Sequence, residues 1–176
     1  MTSLKGKIAV VTGGTGVLGS NVSEGLLQAS ATVIVVGSRQ ETVDKALAKL
    51  TTVAKANDTT VTGFVCNVLN HSEIEALTAK AKEQFGRVDI LVNAAGGNVA
   101  GANIMDDMHV YESDIEPLHK VIDLNLWGTI YPCLTFGKIM AEQKSGSIIN
   151  VSSMAAYDAL SRVMGYSIAK EGVNAL

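Results

Sequence analysis

Apolar positions along the chain fall into short β-branched runs, separated by longer stretches in which apolar residues recur every three or four positions. The short runs are Lys7–Val11, Thr32–Val36, Val61–Val65, Val88–Val92 and Ser147–Val151, most of them ending at a polar residue or a glycine. Near-continuous apolar runs of this kind suit strands buried on both faces of a parallel sheet. The stretches between them read as helices. Asn70-His71-Ser72-Glu73 starts one, with an Asn cap and a Glu three positions later. Ile74, Leu77, Ala81 and Phe85 then share one face, and Gly86 stops the helix. Pro117 fits a first helical turn, while Pro132 is expected to kink or split the helical stretch from Pro117 to Gln143. A further helix is read from Gly165 onward. Strand–helix alternation predicts an α/β fold, a doubly wound parallel sheet with helices on both faces.

Composition narrows the classes of function. The chain has 176 residues, 47% hydrophobic and 18% charged, which predicts one globular domain over 1–176. A net charge of −3 argues against nucleic acid or an anionic membrane as partner. No apolar run approaches the roughly 18 residues that a membrane span needs, and residues 1–20 lack the layout of a signal peptide. Cys66 and Cys133 form no metal-ligand motif and read as reduced thiols of a cytoplasmic protein.

Two motifs carry chemistry. The first is the turn Thr12-Gly13-Gly14-Thr15-Gly16-Val17-Leu18-Gly19, between the first strand and its helix. There, glycines let the backbone approach a pyrophosphate, and the helix N-terminus offers free N–H groups. About 20 residues on, a dinucleotide fold places an acid on the ribose for NAD or an Arg for the 2′-phosphate of NADP. This chain has Gly37-Ser38-Arg39, which favours NADP and leaves NAD open. The second motif is Tyr166-x-x-x-Lys170, with Ser153 thirteen residues before the tyrosine. On a helix, residues four apart share a face. A free tyrosine has a pKa of about 10, so making it a base near pH 7 takes ~4 kcal/mol of phenolate stabilisation. A neighbouring lysine cation has the right sign for that. Ser153 can donate to a substrate oxygen as charge develops on it. The set suits transfer of a hydride to carbon with a proton to oxygen, or the reverse.

With Asn93-Ala94-Ala95-Gly96, Asp123-Leu124-Asn125-Leu126 and Ser152-Ser153 added, the chain resembles the short-chain dehydrogenase/reductase family from Lys7 to Leu176. The resemblance implies a Rossmann-type fold and a catalytic set of Asn125, Ser153, Tyr166 and Lys170. In it, Asn125 anchors a water that links Lys170 to solvent. It implies that Gly13, Thr15, Gly16, Val17, Leu18, Gly19, Ser38 and Arg39 contact the cofactor, as do Asn67, Val68, Asn93, Ala94, Ala95 and Gly96. Tyr166 and Lys170 would hold its nicotinamide ribose. Val17 stands where the family more usually has glycine, a spacing similar to its extended branch. Asn67-Val68 replaces the common Asp-Val at adenine, and its amide oxygen can still accept a hydrogen bond.

Gly96-Gly97-Asn98, the long connection toward Pro117 and Leu124–Thr129 look similar to the sugar-acid branch, the D-mannonate (fructuronate) oxidoreductase-like enzymes. That connection is long enough to wall a substrate site. Asn98, with Ser153, is its polar substrate candidate; His109 reads as a solvated residue, and Met105 and Met108 as packing. The resemblance further implies strands and a lid beyond Leu176, so the sequence is expected to be part of a longer protein. It also implies a homotetramer or homodimer with the Asn125–Met140 helix between subunits. The competing reading is a non-catalytic dinucleotide-binding module, or an inactive fragment of a longer reductase.

Overall fold

The computed structural model describes residues 3–158 and 160–176. Five strands, β1 (Ile8–Thr12), β2 (Thr32–Gly37), β3 (Val61–Val65), β4 (Ile90–Asn93) and β5 (Ser147–Asn150), form one sheet in the order β3-β2-β1-β4-β5. Every pairing is parallel. The helices are α1 (Val17–Gln28), α2 (Gln40–Ala56), α3 (His71–Phe85), α4 (Ile115–Ile122), α5 (Gly128–Gln143) and α6 (Met164–Asn174).

The continuous apolar runs follow from burial on both faces of the sheet. Val10, Ile34, Val36 and Leu91 pack with Ile74 and Leu77 of α3 and Phe136 and Met140 of α5. Ala9, Val11, Val33, Val35 and Val92 point the other way, onto Leu27 of α1 and Leu50 of α2. Alternate residues of one strand thus feed two cores, as the period of two requires. β5 lies at the sheet edge, where Ile148 and Ile149 stay exposed.

The α3 signals are met in detail. The Asn70 side chain accepts from the Glu73 N–H at 3.3 Å, and Glu73 reaches back to the Asn67 N–H at 2.8 Å. Gly86 ends the helix at φ 73°, a left-handed conformation that glycine adopts without strain. Pro117 lies in the first turn of α4, which Asp114 caps by accepting from the Glu116 N–H.

Pro132 does not split its helix. It sits inside α5, and the irregularity lies upstream, in a π-helical turn over Asp123–Trp127 that joins α4 to α5 without leaving helical backbone. The carbonyl that Pro132 cannot serve, four residues back, belongs to Gly128, the first residue of α5. The missing bond therefore falls at a junction that is already irregular.

Asp89, just before β4, fastens the amino ends of the interior strands β1 and β4. Its buried carboxylate accepts from the Ile8 N–H at 3.0 Å and from Lys7 Nζ at 3.1 Å, and pairs with Arg87. Burial pushes its pKa up, but the bonds from Arg87, Ile8 and Lys7 outweigh it and hold the carboxyl below its ordinary value. A depressed carboxylate pKa stabilises the fold above the unfolded-state pKa and is lost as pH falls through the folded one. Asp89→Ala should cost about 2–3 kcal/mol at neutral pH, read by urea unfolding, and the deficit should shrink as pH falls through the carboxylate range.

Candidate active site

The strand order turns at β1 and β4, and in open parallel sheets ligands bind there, beyond the carboxyl ends of the strands. A groove of about 300 Å³ opens at that point. Gly13, Thr15, Gly16, Ser38, Asn67, Val68, Ala94, Ala95 and Gly96 line it, together with Val36, Gly37, Cys66 and Leu124. Val36, Gly37 and Cys66 were legible only as strand ends. Burial pushes the Cys66 thiol up to about 11, with Glu73 adding to the effect, so it stands there as a neutral thiol.

The glycine turn is a close-packed cradle. A Cβ on Gly13 would lie 2.6 Å from Ala95 Cα, and Gly13 has φ 63°. A Cβ on Gly19 would collide with the Gly13 carbonyl. Gly16 is the N-cap of α1 and supplies no side-chain cap, so the first N–H groups of that helix lack a side-chain partner. Val17 and Leu18 in that turn are exposed. Uncapped N–H groups beside a glycine cradle fit a pyrophosphate. The Thr15 methyl packs over Gly37, where a Cβ would come within 2.5 Å of it. Ser38 follows directly, and exposed Arg39 stands at the N-cap position of α2 without a side-chain capping bond.

Asn93 faces elsewhere. It is buried beneath the groove, where its amide donates to Asn150 Oδ1 at 2.9 Å and to Cys133 Sγ at 3.2 Å. Its place is a polar rung across the strand ends, not the groove wall. Asn67 Oδ1 accepts from the Leu69 N–H at 3.1 Å, which leaves one of its lone pairs for a ligand.

Asn125 and Lys170 meet at Gly96, with the Tyr166 ring beside Lys170. Asn125 is fully buried in the π turn. Its amide donates to the carbonyls of Gly97 and Val121, each at 2.8 Å, and its oxygen accepts from the Gly97 N–H at 2.9 Å. Asn125 thus grips both polar groups of one backbone residue 28 positions away. Its own carbonyl accepts from Thr129 Oγ1. Lys170 is buried, with Nζ donating to the Val151 carbonyl at 2.7 Å and standing 5.7 Å from the centre of the Tyr166 ring. Burial pulls the Lys170 pKa below its ordinary value. A Cβ on Gly96 would fall 2.5 Å from Asn125 Oδ1 and 3.5 Å from Lys170 Nζ.

Ser153 is half-buried after β5 and accepts from the Ala155 N–H at 3.2 Å, which leaves its hydroxyl proton free to donate. Ser152 instead bonds Asn174 and the Lys170 carbonyl, tying β5 to α6. Asn98 is exposed at the start of the long connection. His109 is also exposed; it stacks on Tyr111 and its N–H donates to Glu112, a local brace of that loop. Met105 is 60% exposed, so it does not serve packing.

The profile of the family described as short chain dehydrogenase matches residues 7–176. The chain belongs to the short-chain dehydrogenase family. It is 36% identical to the 3alpha-hydroxysteroid dehydrogenase of Mediterraneibacter gnavus over 98% of this chain and 66% of that one. It is 32% identical to the 2-dehydro-3-deoxy-D-gluconate 5-dehydrogenase of Formosa agariphila, over 98% and 62%. A structure from Haemophilus influenza with bound NAD, provisionally assigned as a D-mannonate oxidoreductase, superposes with a TM-score of 0.88 at 27% identity. That match covers 99% of this chain and 64% of the other. The chain thus spans slightly under two thirds of the length of these relatives. Among the described residues no helix is long and apolar enough to cross a membrane.

Gly96 has φ 152°, where side chains are rarely found. Gly96→Ala should cost about 1–3 kcal/mol and push Asn125 off Gly97. Thermal unfolding and the chemical shift of the Gly97 amide would register both effects; a variant as stable as its parent with an unmoved Gly97 amide would contradict the packing described.

Proposed function

We propose that this chain is the nucleotide-binding and catalytic part of an NAD(P)-dependent oxidoreductase that interconverts a secondary alcohol and a ketone. The observation that carries this reading is the buried Lys170 ammonium beside the Tyr166 ring, on the face of α6 toward the Asn125–Gly97 clamp. A nicotinamide, when bound, supplies or accepts the hydride. The residues of the chain do the rest. Thr15, Gly16 and the uncapped start of α1 take the pyrophosphate, and Ser38 and Arg39 take a 2′-phosphate, so NADP is preferred over NAD. The free Ser153 proton holds the substrate oxygen. Tyr166 gives its proton to that oxygen in reduction and removes it in oxidation. Lys170 favours the phenolate by its charge, and its lowered pKa makes it a readier proton donor to Tyr166. Asn125 contributes by fixing the Gly96–Gly97 backbone next to Lys170.

The substrate class we favour is a sugar acid of the D-mannonate/D-fructuronate kind. The Gly96-Gly97-Asn98 start of the long loop supports it. So does similarity to a gluconate-derivative dehydrogenase and to the provisional D-mannonate oxidoreductase. We further propose that the protein is cytoplasmic and assembles as a homodimer or homotetramer. Leu134 and Trp127, 63% and 43% exposed on α5 and the π turn, would lie between subunits.

The test is turnover of sugar acids and simple ketones or alcohols with NADPH or NADH, alongside direct binding of both nucleotides. Tyr166→Phe should lower kcat by about 10²- to 10⁴-fold while nucleotide affinity stays within about threefold. Normal turnover in that variant would overturn the proton-transfer role, and tighter binding of NADH than of NADPH would overturn the cofactor preference.

A further inference from the structure

The long connection after β4 is fastened at its start, its middle and its end. Its start is gripped at Gly97 by Asn125. Its end runs into α4, which packs so closely on α6 that a Cβ on Gly165 would come within 2.6 Å of Leu118 and 2.7 Å of Val121. In between, the Ile104 N–H donates to the Arg162 carbonyl at 2.9 Å, and the Arg162 guanidinium pairs with Asp106. Arg162 lies two residues before α6, the helix that presents Tyr166 in its first turn. It holds φ 73°, an unfavourable value for a residue with a side chain. The bond from the Ile104 N–H to its carbonyl pins that conformation.

The charges on these two segments are lopsided. Residues 97–114 carry Asp106, Asp107, Glu112 and Asp114, and residues 152–165 carry Asp158. Arg162 is the one lysine or arginine in either segment. Glu112 and Asp114 are engaged in capping, by the N–H groups of His109 and Glu116. A carboxylate approaching these two segments therefore finds Arg162 as their one lysine or arginine, among five acids. The Asp106–Arg162 pair is largely solvent-exposed, with side chains 80% and 54% accessible. Such a pair is worth little, so exchanging its acid for another costs little. A carboxylate held by a bound substrate gains two parallel charge-assisted bonds from a guanidinium.

We infer that Arg162 selects an anionic substrate, exchanging its ion pair with Asp106 for the carboxylate of the substrate. This rests on the sugar-acid reading and names the residue that carries it. Asp106 is the internal stand-in for the substrate carboxylate. The Ile104 bond to the Arg162 carbonyl survives the exchange, so the loop path is unchanged when the guanidinium changes partner.

The experiment compares hexonates with the hexitols of the same carbon skeleton, D-mannonate against D-mannitol first, in the parent protein and two variants. Arg162→Gly removes the guanidinium while suiting the left-handed backbone, so the loop path is kept. Its kcat/KM for the acid should fall about 10- to 100-fold more than for the polyol, chiefly through KM. Asp106→Asn should raise kcat/KM for the acid by about two- to fivefold. Equal losses on acid and polyol in Arg162→Gly would reduce Arg162 to a loop fastener and overturn the inference, with the hydride-transfer reading intact. Turnover of polyols but not of hexonates by the parent protein would overturn it as well. Failure of the hydride-transfer reading would look different, with no turnover of any alcohol or ketone.

Discussion

One buried amide organises the carboxyl end of this fold. Asn125 has no solvent contact, and the four hydrogen-bonding positions of its side chain have few places to go. Three are used, two of them on the backbone of Gly97. A buried amide left unpaired costs far more than a paired one gains, so this arrangement is close to obligatory once Asn125 is inside. It fixes the exit from β4 against the helix that follows the long loop. The space left between them admits Gly96 and no larger residue, with Lys170 Nζ on its far side.

The sheet delivers the other parts to that point. Thr12, Asn93 and Asn150 are direct register partners at the carboxyl ends of β1, β4 and β5. Their side chains form a polar rung with Cys133 of α5. The strand ends are thereby held level, and the segments bearing Ala94–Gly96 and Ser152–Ser153 leave from one line. From β5, Val151 offers its carbonyl to Lys170, and Ser152 bonds the end of α6. The helix with Tyr166 is thus docked by backbone and side-chain bonds to the strand that carries Ser153. The glycine cradle at β1 and this docking at β5 lie on either side of β4, which is why groove and proton-transfer residues adjoin.

The five strands and the α3 boundaries were legible because their causes are local: β-branched runs, buried on two faces in β1, β2 and β4, an Asn cap, and a glycine at positive φ. The Tyr166/Lys170 pair was legible through helical spacing. Other features have no local cause. Pro132 suggested a kink or split in its own helix, yet the irregular turn is the π turn at Asp123–Trp127, where Asn125 reaches a residue 28 positions away. Asn93 read as a groove residue from its motif, but burial and the Cys133–Asn150 pair direct it into the sheet. The fastening of Ile104 and Asp106 to Arg162 joins segments more than 50 residues apart, and no periodicity encodes it.

The Asn125 side chain holds Gly97 in place, and amide hydrogen exchange at Gly97 in Asn125→Ala measures this directly. Exchange there should be at least about 10-fold faster, with the amides of α3 unchanged. Exchange at Gly97 as slow as in the parent protein would contradict this, because the backbone would then hold itself without the Asn125 amide.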